Sequence, residues 1–114
     1  MITSEGRSIF LAIDPIDIRI GADGLAQRIQ HQFNGTPCDG NIYAFRNKAS
    51  TRIKVICFDG TGVWSAVRRL HQGRFVWPQS ESQQIELPAA WWHWLTAGVD
   101  WQRVSATTHP EWRV

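Results

Sequence analysis

The fold is decided by residues 41–58, NIYAFRNKASTRIKVICF. Two β-favouring runs, 41–46 and 52–58, flank five polar or small residues, and this pattern predicts a β-hairpin with a basic tip. Because side chains alternate along a strand, Ile53, Val55 and Cys57 are expected on one side of the sheet and Arg52 and Lys54 on the other. The hairpin therefore predicts a sheet with one apolar and one basic face.

The flanking sequence adds further strands. Residues 8–13 are apolar or β-favouring and predict a strand that Pro15 stops. Residues 63–70 and 74–77 predict another strand pair around a turn at residues 71–73. A short helix over 63–70 remains an alternative, because periodicity does not separate the two in so short a run. Residues 78–84 are polar and are expected to be irregular.

Two short helices complete the predicted fold. Leu25, Ile29 and Phe33 recur every fourth residue, which predicts a helix over 22–33 that ends at Asn34-Gly35. Residues 87–97 predict a second helix, with Pro88 at its first position and Gly98 just after its end. The expected fold class is α+β: a small antiparallel sheet of about four to five strands with two short helices packed against it.

Length and composition indicate one globular domain. The chain has 114 residues, of which 43% are hydrophobic and 19% charged, so it can bury a core without disulfides or metals. We expect a domain over residues 1–103 and a loosely ordered tail over 104–114. No segment has the pattern of a signal peptide, and no apolar run reaches the ~20 residues of a membrane helix, so the cytoplasm is the expected location.

Charge is unevenly distributed along the chain. Residues 43–77 contain seven basic residues and a single acid, whereas the remaining residues carry a net negative charge. Such a stretch can present a basic surface to a polyanion. Aromatic residues that could stack on bases are interleaved with it: Tyr43, Phe45, Phe58, Trp64, Phe75 and Trp77. The alternative is a solvated basic face above buried aromatics. The candidate DNA-binding residues are Arg46, Lys48, Arg52, Lys54, Arg68, Arg69 and Arg74.

Tryptophan is abundant, with seven in the chain, and four of the seven lie near the second predicted helix: Trp91, Trp92, Trp94 and Trp101. Large aromatic side chains either fill a core or mark an interface. One short helix cannot bury all of its tryptophans equally. Trp92 and Trp94 are therefore the candidate partner-binding residues, with a purely structural role as the alternative.

No pattern indicates catalysis, a metal or a cofactor. The paired glycines at 21/24 and 60/62 lack the lysine of a phosphate-binding loop and fit turns. Asp14, Asp17, Asp23 and Asp59 lie beside turn residues, and Arg19 is placed to form an ion pair with Asp17. Cys38, Cys57 and the scattered histidines make no ligand set, and Cys57 is expected to be buried and inert.

Several blocks of the sequence together resemble a known family. The blocks are DIRIGADGL at 17–25, the hairpin with DGTG at 59–62, RRLHQGRFVWP at 68–78 and GVDW at 98–101. In combination they resemble the TnpB accessory proteins of bacterial insertion sequences of the IS-66 family, also called transposase Orf-two-like. The likeness extends from Met1 to about Arg103.

The resemblance implies a function without an active site. In that family the catalytic acids belong to a separate large transposase, so no enzyme activity and no catalytic residue is implied here. We expect a non-catalytic accessory protein of DNA transposition that binds the element ends through a basic sheet face and assists the transposase. The alternative is a protein–protein adaptor that binds the transposase without contacting DNA, and steep salt sensitivity would distinguish DNA binding from it.

Overall fold

The architecture is a five-stranded mixed sheet with helices on both sides. A computed structural model describes residues 7–33 and 40–100, although not the side chains of residues 32 and 33. Its strands are β1 (Ile9–Ala12), β2 (Ile42–Arg46), β3 (Arg52–Phe58), β4 (Val63–Arg69) and β5 (Gln84–Leu87). The helices are α1 (Ala22–Phe33) and α2 (Trp92–Thr96), the latter preceded by a 3₁₀ turn at Ala89–Trp91. The predicted α+β class is confirmed.

The strand order is β4-β3-β2-β1-β5. Three neighbouring pairs are antiparallel, as expected, whereas β1 and β2 run parallel. The parallel pair follows from the long connection between these strands. A crossover of this length can return the chain to the same end of the sheet, and it carries α1 across one face.

Each side of the sheet has its own apolar core. On the α1 side, Leu25 and Ile29 of the helix pack with Tyr43, Phe45 and Ile56 of β2 and β3, and all five side chains are almost completely buried. Leu25 and Ile29 are two members of the predicted helical stripe, and the third, Phe33, lies outside the described side chains. The helix over 22–33 is confirmed.

On the α2 side, a second buried cluster contains Ile53, Val55 and Cys57 of β3, as the alternation predicted. Leu95 of α2 and Phe75 pack onto it, and both are nearly inaccessible to solvent. Cys57 is a buried thiol whose Sγ donates to the carbonyl of Gly40 at 3.4 Å. Cys38 lies outside the described residues.

The expected strand over 74–77 is wrong. The backbone N–H of Phe75 donates to the carbonyl of Ser50 at 2.7 Å, and Nε1 of Trp77 donates to the carbonyl of Ala12 at 2.7 Å. The segment therefore crosses the end of the sheet and is anchored by its aromatic side chains, without forming a ladder. Its β-favouring residues are explained by burial against the α2-side core.

The sequence predicted β4 but not β5. The strand over 63–70 is confirmed as β4, and the helical alternative is not adopted. β5 is not among the predicted strands: Gln84 lies in the stretch expected to be irregular, residues 85 and 86 carry no prediction, and Leu87 is expected to begin the second helix. It pairs antiparallel with β1 across Ala12 and Gln84, so long-range pairing outweighs its weak local pattern.

The helix predicted over 87–97 is shorter than expected. Leu87 ends β5, Pro88 precedes the 3₁₀ turn, and α2 begins only at Trp92. Gly98 follows the helix with a φ of +80°, the left-handed conformation predicted for its end. The predicted tail over 104–114, the domain boundary before it and Trp101 lie outside the described residues. Within residues 7–33 and 40–100, no helix is long and apolar enough to cross a bilayer.

Candidate nucleic-acid interface

Most of the candidate basic residues lie at one end of the sheet. β2 and β4 end where β3 begins, because β3 runs antiparallel to both. Arg46 and Arg68 flank Ile53 across the ladder, and Arg69 lies opposite Arg52. We call this region the basic end. It comprises Arg46, Lys48, Arg52, Arg68, Arg69 and Arg74, while Lys54 lies farther along β3.

The predicted single basic face is not formed. Arg52, Lys54 and Arg69 occupy ladder positions on the α1 side of the sheet, whereas Arg46 and Arg68 occupy positions on the α2 side. Adjacent residues of a strand point to opposite faces, so Arg68 and Arg69 cannot lie on the same face. Positive charge is therefore gathered at an end of the sheet rather than over a face.

The side chain of Arg46 is held by hydrogen bonds within the fold. Its Nε and Nη2 donate to the carbonyl of Ile13 at 3.2 and 3.0 Å, and its Nη1 donates to Oγ of Ser50 at 3.3 Å. The side chain is half-buried and ties the end of β1 to the β2–β3 turn. Arg46 thus supports the basic end and has little freedom to reach a ligand.

Lys54 and Arg68 also bind backbone carbonyls. Nζ of Lys54 donates to the carbonyl of Ile20 at 2.7 Å and more weakly to that of Ile18 at 3.4 Å, which holds the loop before α1. Nε of Arg68 donates to the carbonyl of Thr96 at the end of α2. The Lys54 interaction fastens the loop before α1 to the sheet. The Arg68 interaction fastens α2, because the last carbonyls of a helix need donors from outside it.

The other candidates have free cationic groups. Lys48, Arg52, Arg69 and Arg74 are exposed, and within the described part of the chain their side chains have no hydrogen bond or ion pair. Arg52 and Arg69 are directly opposed on neighbouring strands. Like charges in that position destabilise a sheet, and a bound anion would relieve the repulsion.

Lys48 and Arg74 border a shallow groove of about 330 Å³ between the β2–β3 turn and the chain after β4. Oδ1 of Asn47 accepts the backbone N–H groups of Thr51 and Arg52 at 2.9 and 3.0 Å, so the turn is held from inside. The exposed Lys48 is thereby presented at the turn's outer side.

Within residues 7–33 and 40–100, no acid forms an ion pair with the basic end. Asp14 follows β1 and Glu81 precedes β5, so both belong to the other half of this sheet end. Asp17 forms the predicted ion pair with Arg19 at 2.8 Å. Hydrogen bonds from the Arg19 side chain and backbone lower the pKa of Asp17 to about 2.

Asp59 lies at the opposite end of the sheet, in the β3–β4 turn. Its Oδ1 accepts the N–H groups of Thr61 and Gly62 at 2.9 and 2.8 Å, and its Oδ2 accepts Nε1 of Trp64 at 3.3 Å. These hydrogen bonds, chiefly those from Thr61, lower the pKa of Asp59 to about 2. In the part of the chain that the structure describes, no three His, Cys, Asp or Glu residues converge as metal ligands.

The tryptophans differ from expectation in their exposure. Trp92 and Trp94 are half-buried against the α2-side core. Trp64, which had been considered only among the interleaved aromatics, has 45% of its surface exposed. It borders a groove of about 400 Å³ between β4 and α2, together with Ala66 and Trp92.

Most of the other interleaved aromatic residues are not placed to stack on bases. Tyr43, Phe45 and Phe75 are buried, and Nε1 of the half-buried Trp77 is bound to a carbonyl. Trp64 occupies a strand whose every residue is exposed. Only knowledge of the strand order, which makes β4 an edge, would have separated Trp64 from the buried aromatics.

Comparisons with known proteins identify the family of the chain. The family model described as IS66 Orf2-like protein matches residues 7–106. The uncharacterized protein y4hO of Sinorhizobium fredii is 36% identical over 90% of this chain and 89% of its own length. The uncharacterized protein y4jC of the same organism is 32% identical over 89% of this chain and 86% of its own length. No solved structure matched the chain.

Proposed function

The chain belongs to the family of IS66 Orf2-like proteins, accessory proteins of insertion sequences, and from this premise we propose that it binds the DNA of its element at the basic end. In this proposal the protein is not an enzyme. A separate transposase carries out strand cleavage and joining. This chain holds the DNA in position or helps to position the transposase on the DNA.

The observation that carries the proposal is the opposition of Arg52 and Arg69. Two guanidinium groups, neither of which has a hydrogen bond or ion pair among the described residues, lie opposite each other on neighbouring strands, and Lys48 and Arg74 are exposed at the same sheet end. Arginine and lysine at a surface release condensed counterions when they bind DNA phosphates, which favours association. A phosphate backbone would also remove the repulsion between the two arginines.

The contacts proposed here position DNA and do not read its sequence. All four free cations suit phosphate oxygens, and base-specific recognition requires side chains that reach into a groove. We therefore expect affinity to depend strongly on salt and only weakly on sequence, with any preference for the element ends arising from DNA shape or from the transposase.

Fluorescence anisotropy tests the proposal directly. A labelled duplex carrying the terminal repeat of the element is titrated with pure protein beside a scrambled duplex, at about 50 and 200 mM salt. Four phosphate contacts predict an affinity loss of about a hundredfold between these concentrations. Absence of binding at the lower concentration would refute DNA binding by the isolated protein.

Paired variants locate the surface. Arg52→Gln/Arg69→Gln and Lys48→Gln/Arg74→Gln should each reduce the slope of log affinity against log salt by about 2. Arg28→Gln on α1 removes a single positive charge away from the basic end and should leave the slope unchanged. An equal effect per charge removed in all three variants would show that the measured affinity reports net charge and not this surface.

The alternative adaptor function has one observation in its favour. Trp92, a predicted partner-binding residue, borders an apolar groove beside the exposed Trp64. An adaptor would bind purified transposase of the same element with an affinity that changes little with salt, since an aromatic interface is not held by counterion release. Salt-insensitive transposase binding together with no DNA binding would replace the first proposal by this one.

A further inference from the structure

The outer edge of β4 is an unpaired edge of the sheet. β4 is the terminal strand, and no other strand in the described ranges pairs with its free side. Two hydrogen bonds fix the direction of its backbone groups, from the N–H of Leu70 to the carbonyl of Thr51 and from the N–H of Asp59 to the carbonyl of Gly62. By the alternation of an antiparallel ladder, Val63, Ser65, Val67 and Arg69 direct their N–H and C=O groups outward.

Several features that usually protect an edge strand are missing. β4 contains no proline or lysine, and its alignment with β3 is regular over all seven residues, without a bulge. Its apolar side chains are open to solvent, with Val63, Trp64 and Val67 exposed by 47, 45 and 53%. An edge that is long, regular and partly apolar is suited to strand addition.

The distribution of charge along β4 favours a second copy of the same strand as its partner at this edge. Arg68 and Arg69 are at one end of the strand, and Asp59, bound to the indole of Trp64, is at the other. A second β4 laid antiparallel brings each cationic end against the end that carries the Asp59 carboxylate. A parallel copy would instead place arginine beside arginine, which is unfavourable.

We propose that two copies of this chain associate through their β4 strands, antiparallel and centred on Ala66, so that the two sheets become one continuous sheet. The centre follows from the length of the strand, because only this register pairs all seven residues. It is also compatible with a twofold axis, in which the same surface serves both copies.

The register defines the contacts. Ser65 lies opposite Val67 of the second copy and Val63 lies opposite its Arg69, and in both pairs the outward backbone groups can exchange hydrogen bonds. Trp64 lies opposite Arg68 of the second copy on the α2 side. The guanidinium group can then rest on the indole, an arrangement favoured by cation–π attraction. This inference is independent of the proposed DNA binding.

Sedimentation velocity and cysteine crosslinking test the proposal. Wild-type protein should sediment as a concentration-dependent dimer. In a Cys38→Ser background, which leaves the buried Cys57, Ala66→Cys should form an intermolecular disulfide fastest, because that position faces its own copy across the axis. Faster crosslinking by Ser65→Cys or Val67→Cys would overturn the register. A monomer at all concentrations, without crosslinking at any of the three positions, would overturn the dimer.

Charge reversal provides a second test that does not depend on disulfide geometry. Ser65→Lys/Val67→Lys places two cations opposite two others and should weaken the dimer by about tenfold or more. Ser65→Glu/Val67→Lys places an acid opposite a base in both pairs and should restore it. If the two double variants associate equally, β4 does not form the interface.

Discussion

At the scale of single residues, the basic end contains two kinds of arginine. Arg46 donates to two backbone carbonyls and a serine hydroxyl, whereas Arg52 is exposed and faces another arginine. Arg46→Met should lower the free energy of unfolding by about 2 kcal/mol, because charged hydrogen bonds are lost from half-buried acceptors. Arg52→Gln should change it by less than about 0.5 kcal/mol.

Urea unfolding followed by circular dichroism measures both variants. A loss of similar size for both would contradict the division into supporting and free cations. The distinction matters for binding studies, because a DNA-binding defect in Arg46→Met would reflect a displaced β2–β3 turn and would not identify a phosphate contact.

Asp59 gives a prediction on pH. The hydrogen bonds from Thr61, Gly62 and Trp64 lower its pKa from 3.8 to about 2 in the folded chain. A lowered folded-state pKa adds stability that is fully present above pH ~4 and is lost as the pH falls toward 2. Asp59→Asn should therefore flatten the fall in unfolding free energy between pH 4 and pH 2. Asp17 retains its own contribution in that variant, since its pKa is lowered to a similar value.

Unfolding free energies from urea titrations at several pH values between 2 and 6 test this expectation. Asp23→Asn is the matched control, since Asp23 is an exposed carboxyl in the first turn of α1. Parallel curves for wild type and Asp59→Asn over the acid range would be inconsistent with the turn stabilising the ionised form.

At the scale of elements, β4 should show alternating amide protection. The N–H groups of residues 64, 66 and 68 point toward β3, and those of residues 63, 65, 67 and 69 point outward. In dilute protein the first set should exchange with deuterium slowly and the second quickly. Raising the protein concentration should protect the second set if the copies join through β4.

Hydrogen exchange resolved by residue in NMR spectra measures this pattern. Val67→Pro removes an outward N–H, which leaves the bonds to β3 intact, and should abolish the concentration dependence. Slow exchange of the outward set in dilute Val67→Pro protein would show that another segment of the same chain covers this edge.

Elements with a strong local pattern were predictable, and those fixed by distant partners were not. The helix over 22–33 and the β2–β3 hairpin follow from periodicity and turn chemistry within each segment. β5 has little strand signal in Gln84–Leu87 and forms because β1 offers an open edge. The segment 74–77 has the signal but does not pair with β4, because Phe75 is buried in the α2-side core and Trp77 is bound to the carbonyl of Ala12.

At the scale of the whole molecule, the sequence identified the candidate basic residues but not their arrangement. Their clustering at a sheet end depends on which strand ends coincide, and this information lies in the topology. The division between supporting and free cations depends on carbonyls from distant segments, such as those of Ile13, Ile20 and Thr96. The spacing of residues along the sequence does not indicate these partners.

The topology also predicts how dimerisation and DNA binding relate. In an antiparallel β4 pair, the basic ends of the two copies lie on opposite sides of the twofold axis, each about 10 Å along the strand from Ala66. They point outward in opposite directions, so a duplex bound across the end of one sheet does not reach the basic end of the other copy. Breaking the dimer should therefore leave the affinity for a short duplex unchanged within about threefold.

Val67→Pro is the variant suited to this measurement, because it adds no charge that would itself attract DNA. Anisotropy with a duplex of about one helical turn gives the affinity, and sedimentation of the mixture gives the stoichiometry, expected as one duplex per copy. A large loss of affinity in a folded, monomeric Val67→Pro protein would mean that a single duplex contacts both copies. The duplex would then have to lie along the α1 side of the joined sheet, where Arg52 and Arg69 of both copies are found.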